Sequence, residues 1–94
     1  MTVDIKKLEE GLGKLSGLDF ETAERQERAE GNNYPDVSFT KSFQAKLAAI
    51  ALGVPFADIK ELPLKKYAQV VQTVMNFLFV TSDADETQLK KSEA

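Results

Sequence analysis

The chain has no cysteine. That excludes a disulfide, a thiolate metal site and a cysteine nucleophile. It has no histidine either, which removes the commonest general base and the commonest metal ligand. Tryptophan is also missing, so any site must be built from carboxylates, lysines, hydroxyls or amides. The opening residues, MTVDIKKLEE, lack the apolar core of a signal peptide. No apolar run approaches the roughly 20 residues of a membrane span. A soluble, cytoplasmic chain is expected, with no cofactor and no membrane partner.

What is present suits one small helical domain. The chain has 94 residues, of which 43% are hydrophobic. That is enough for a core and argues against global disorder. Charge is uneven along the chain: residues 1–18 are neutral, 19–30 carry −3, 31–80 carry +2 and 81–94 carry −2. No segment has the dense basic character of a phosphate-binding face, which argues against a nucleic-acid partner. Three regions are expected: a marginal helical segment at 1–18, a helical domain at 19–80, and a disordered acidic tail at 81–94.

The stretch LKKYAQVVQTVMNFLFV, residues 64–80, predicts the longest helix. At about 100° per residue its apolar side chains fill an arc of roughly 200°. A surface helix needs about half that width. Either this helix is the central pillar of the domain, or part of its face belongs to another chain. A second helix is expected over 41–52. Thr40 is its cap, Phe43, Leu47 and Ile50 follow its period, and alanines at 45, 48, 49 and 51 permit close approach of a neighbour. Gly53 and Pro55 should end it. Residues 56–62 make at most a short helical turn, capped near Asp58, and Pro63 fits the first position of the long helix.

Upstream, Ile5, Leu8, Leu12 and Leu15 recur at helical spacing, with Thr2 as a cap and Asp4 in the first turn. Gly11, Gly13 and Gly17 weaken that helix by about 1 kcal/mol each. Asp19 can cap a helix over 20–30, with Glu21–Arg25 and Glu24–Arg28 as i,i+4 pairs on a solvated surface helix closed by Gly31. Val37 and Phe39 alternate with Ser38 and Thr40, which suggests a short extended segment without a partner strand.

Catalysis finds no support in this pattern. Asp83, Asp85 and Glu86 have the density of a calcium loop but lack its glycine and its bidentate glutamate, so they read as a solvated tail. Gly11 and Gly13 give G-x-G without a third glycine or a preceding strand. The run KLAAIALGVPFADIKEL has the offsets of a helix-turn-helix: Ala49 at the helix contact, Gly53 in the turn, Ile59 and Leu62 as anchors. Its recognition helix would end at Pro63 and would present Asp58, Lys60 and Glu61, a poor match to phosphates. A helix ending on glycine with a turn packed beneath it explains the same spacing.

The segment FTKSFQAKLAAIALGVPFADIKELPLKKYAQVVQTVMNFLF also resembles small tail assembly chaperones of long-tailed bacteriophages and prophages. In that family an apolar helix leads into a D-I-x-x-L-P-type turn, and a final helix ends in an F-L-type apolar patch. LDFETAERQERAEG resembles the acidic, arginine-bearing helix of related phage proteins. The resemblance implies an all-helical, self-associating protein. It implies binding to the tape measure protein, which is kept soluble while tail tube subunits assemble around it.

The expected architecture is an all-α bundle of three to four helices with a core hairpin of 41–52 and 64–80. A homo-oligomer is expected, because so small a chain struggles to cover so wide an apolar face. Candidate partner-binding residues are Phe56, Tyr67, Phe77, Phe79 and Val80. The partners are the tape measure protein and, secondarily, the tail tube protein. The alternatives are a small helix-turn-helix regulator and a structural tail or head connector.

Overall fold

The computed structural model describes residues 1–80. The acidic tail expected at 81–94, with Asp83, Asp85 and Glu86, lies outside the described residues. Five helices run in order: α1 (Ile5–Gly13), α2 (Gly17–Ala29), α3 (Lys41–Leu52), α4 (Phe56–Lys60) and α5 (Leu64–Phe79). A 3-10 turn (Val37–Phe39) precedes α3, and no strand occurs among the described residues. The all-helical fold is the expected one. It holds five helices rather than three or four because α1 is fully formed and the turn after Pro55 closes as a short helix of its own.

The pillar of the fold is α3, not α5. Residues 43–49 of α3 are buried without a break, and α5, α4, α1, α2 and the 3-10 turn all pack on it. A helix enclosed on every side needs small or apolar residues around its whole girth. Ala45, Ala48 and Ala49 meet that need and let neighbours approach. The Thr40 hydroxyl accepts from the Phe43 N–H at the start of α3. Gly53 ends it in the left-handed region at φ 69°, where a side chain would be strained. The hairpin of α3 and α5 buries Val70, Val71 and Val74 of α5.

Helix α1 packs on both α3 and α5 and contributes Leu8 and Leu12 to the common core. One of its two glycines has a steric cause. A Cβ on Gly11 would stand 2.3 Å from the Ala51 carbonyl oxygen, so only glycine lets α1 approach the end of α3 this closely. The helix is capped by Asp4, whose carboxylate accepts from the Lys6 N–H, rather than by Thr2. Likewise α2 begins before Asp19. Ser16 is its cap, with the Ser16 hydroxyl accepting from the Leu18 N–H and the Asp19 carboxylate from the Ser16 N–H. Asp19 serves as the returning arm of a capping box. A boundary between 18 and 19 would therefore cut through α2.

Three other local expectations are corrected. Residues 37–39 coil into the 3-10 turn instead of extending, because Asp36 takes both the N–H and the hydroxyl of Ser38. Buried Gln44 then fastens the turn to α3 by donating to the Ser38 carbonyl. Helix α4 starts after Pro55 without a side-chain cap, and Asp58 sits in its first turn. Pro63 precedes α5 by one residue, and its carbonyl accepts the Tyr67 N–H at 2.9 Å. Ile59 is fully buried and Leu62 nearly so. Through these two side chains the short α4 turn packs beneath the glycine-ended α3.

Candidate functional site

Because α3 occupies the centre, α5 has neighbours on one side only. Its surplus apolar width is left in solvent at both ends, with Leu64 at its start 82% exposed and three apolar residues at its C-terminal end. Phe77 is 49% exposed, Phe79 43% and Val80 62%. Leu78, between the two phenylalanines, turns partly inward onto the core. Phe77 and Phe79 lie at opposite edges of the apolar arc, so one core cannot cover both.

The two edges meet different surroundings. On one side the Phe79 ring stacks on Phe39 at 4.6 Å between centroids and 19° between planes. Phe39 is itself 56% exposed. The pair therefore forms a stacked aromatic plate facing water, with Val80 beside it in sequence. On the other side Phe77 borders an apolar cleft of about 240 Å³. Leu12 and Leu15 from α1 and its exit, Phe20 from α2, Leu47 from α3 and Leu78 from α5 line the rest of it. Sequence reasoning found Phe77, Phe79 and Val80. It missed Phe39 as a member of the patch, because the 3-10 turn that turns this ring outward is set by a hydrogen bond at Asp36 and not by periodicity.

Phe56 and Tyr67 are not part of this surface. Both are half-buried beside an internal ion pair that joins α2 to α3. Lys46 is 2% exposed and Glu27 4%. The Lys46 ammonium donates to Glu27 Oε1 at 2.7 Å and to Glu30 Oε1 at 2.8 Å. Glu27 also accepts from Asn32 Nδ2 at 2.6 Å and from the Ser42 hydroxyl at 2.9 Å. The Phe56 ring closes the remaining side, 4.1 Å from the Lys46 nitrogen. That contact favours the charged lysine. Tyr67 borders a shallow depression with Lys60, Leu62 and Leu64.

The electrostatics of this cluster are self-consistent. Burial pushes the Glu27 carboxyl up, but hydrogen bonds from Lys46, Asn32 and Ser42, with the Lys46 charge, outweigh it and hold the group below its ordinary 4.5. Burial pulls Lys46 down, yet Glu27 and Glu30 carry it above its ordinary 10.5. Burial raises the Tyr67 phenol, partly opposed by the Lys46 charge. Both members of the pair therefore stay ionised at neutral pH. The cluster thus joins α2 to α3 through oppositely charged groups.

The same joint overturns one reading of α2. Glu21–Arg25 and Glu24–Arg28 do not pair, since every ion pair among the described residues involves Lys46. Arg28 instead donates to the carbonyls of Asn32, Tyr34 and Pro35 and so folds the loop after α2. A sign of the joint was present in the sequence. Phe20, Ala23 and Glu27 share one helical face, as do Phe43, Lys46 and Leu47, so opposite charges interrupt two facing apolar stripes.

No group of acidic side chains among the described residues is arranged to hold a metal ion. No helix among them is long and apolar enough to cross a membrane. No protein-family model, curated protein or solved structure matches the chain.

Proposed function

We propose that this chain is a phage tail assembly chaperone that binds the tape measure protein and keeps it soluble during tail tube assembly. The observation that carries the proposal is the aromatic end of α5. Phe77, Phe79, Val80 and Phe39 stand in solvent next to an apolar cleft. A handler of apolar helical clients needs such a surface. An amphipathic client helix would lay one side chain in the cleft and others on the aromatic plate. Covering the exposed half of each phenylalanine contributes about 1 kcal/mol per ring. Self-association of the chaperone through the same end, and a cytoplasmic place of action, belong to this proposal.

Co-expression with the tape measure protein of the same phage or prophage tests it. The client is expected in the soluble fraction and in complex with the wild-type chain, and to precipitate with a Phe77→Ser/Phe79→Ser variant. A client equally insoluble with and without the wild-type chain would overturn the proposal. So would the chain's stable presence in finished virions, which a connector requires and an assembly factor does not.

A further inference from the structure

The five helices are not held with equal means. Helices α1, α3, α4 and α5 each bury branched or aromatic side chains, among them Leu8, Phe43, Ile59 and Val74. The only fully buried apolar side chain of α2 is Ala23. Its Phe20 is half-buried and meets Phe43 edge-on at 4.9 Å between centroids. Apolar burial sets most of the strength of a helix–helix contact. What sets the seat of α2 apart is therefore the polar joint of Glu27 and Glu30 on Lys46, and α2 packs mainly on α3 and the 3-10 turn.

A glycine stands at each end of α2. At its start Gly17 has open space around it. At its end Gly31 takes a left-handed φ of 97°, also in open space. We infer that α2 is a strap that opens as a unit while α1, α3, α4 and α5 stay folded, latched by Lys46 and hinged at Gly17 and Gly31. Opening uncovers the Phe43 ring that Phe20 covers and lengthens the apolar cleft beside Phe77 into a trough along α3. The inference is independent of the client's identity, because the opening needs no partner.

Native-state hydrogen exchange on the full chain tests it. Detached from α3, a helix of 13 residues is too short to persist in water, so its amides exchange whenever the strap opens. In the wild type the amides of α2 are expected to be protected about tenfold less than the slowest amides of α3 and α5. Val74→Ala weakens the core that remains when the strap is open. It should lower α3 and α5 protection about tenfold, to the level of α2, and lower α2 protection by no more than about twofold. Glu27→Gln removes an ion pair that neither the open nor the unfolded state keeps, so it should lower protection of α2 and of the core by the same factor. Should either variant fail to fold, the wild type in low urea gives the same answer. Sub-global opening exposes little surface, so α2 amides should show a much smaller urea slope than core amides. If α2 protection falls in step with the core in Val74→Ala, or carries the full urea slope, α2 leaves only by global unfolding and the inference is wrong. If Glu27→Gln leaves α2 protection untouched, the latch is misassigned.

Discussion

At Glu27 and Lys46 burial and attraction work against each other. Attraction wins because each polar atom of the buried pair has a partner. Truncation of one member leaves the other ion buried and short of bonds. Glu27→Ala should cost about 3 kcal/mol in urea unfolding, the low end for a broken buried pair because Glu30 still reaches Lys46. The sign of the pH dependence follows from the two shifts. Glu27 is lowered on folding, so its contribution is complete above its ordinary 4.5 and fades as pH falls through its folded value. Lys46 is raised, so its contribution is complete below 10.5 and fades as pH rises through its folded value. Melting temperature should drop at both extremes, and Glu27→Gln should flatten the acid side. Two glycines give a sharper contrast. Gly11→Ala forces a Cβ against the Ala51 carbonyl and should cost about 1–3 kcal/mol or displace α1. Gly13→Ala meets nothing within 4 Å and should stabilise by about 0.5–1 kcal/mol. Both residues look alike in sequence as helix-weakening glycines, because the oxygen that distinguishes them belongs to the far end of α3.

Helices announce themselves better than their joints do. The periods of Ile5, Leu8 and Leu12 and of Phe43, Leu47 and Ile50 predict α1 and α3, and Thr40 and Gly53 bound α3 where expected. The starts of α1 and α2 are misplaced by two or three residues. Asp, Ser and Thr can all cap, and which one does depends on where the backbone leaves the previous turn. Ser16→Ala therefore tests the assignment: it should cost about 1 kcal/mol and fray α2 first, visible as a local loss of amide protection. Leu47 is buried where α3 meets its neighbours, and Leu47→Ala should cost about 2–5 kcal/mol in the same urea assay. The solvated surface helix expected of α2 is half right. Its outer face is polar, but the inward Glu27 belongs to an ion pair with a residue 19 positions away.

For the whole molecule the question is what happens to the apolar surface that a single copy leaves bare. Phe79→Ser removes half of the Phe39 stack but little buried area. It should cost about 1 kcal/mol or less in folding while weakening self-association, read by sedimentation velocity over a concentration series. Equal loss of folding from Phe79→Ser and Leu47→Ala would count against an interface at this end. Phe56 should behave differently from Phe79. Its ring covers the Lys46 ammonium, so Phe56→Ser should lower stability and leave association unchanged.

The one-dimensional pattern determined what is set by near neighbours. It determined the helical class, the extents of α3 and α5, and the excess apolar width of the last helix. The absence of cysteine and histidine is legible there too. Tertiary packing decided which helix is the pillar, which glycine is indispensable, and which aromatic rings are left in water. A helical period specifies that a face is apolar but not which neighbour covers it. Only the crossing of α3 by the other helices decided that Val70, Val71 and Val74 are covered while Phe77, Phe79 and the distant Phe39 are not.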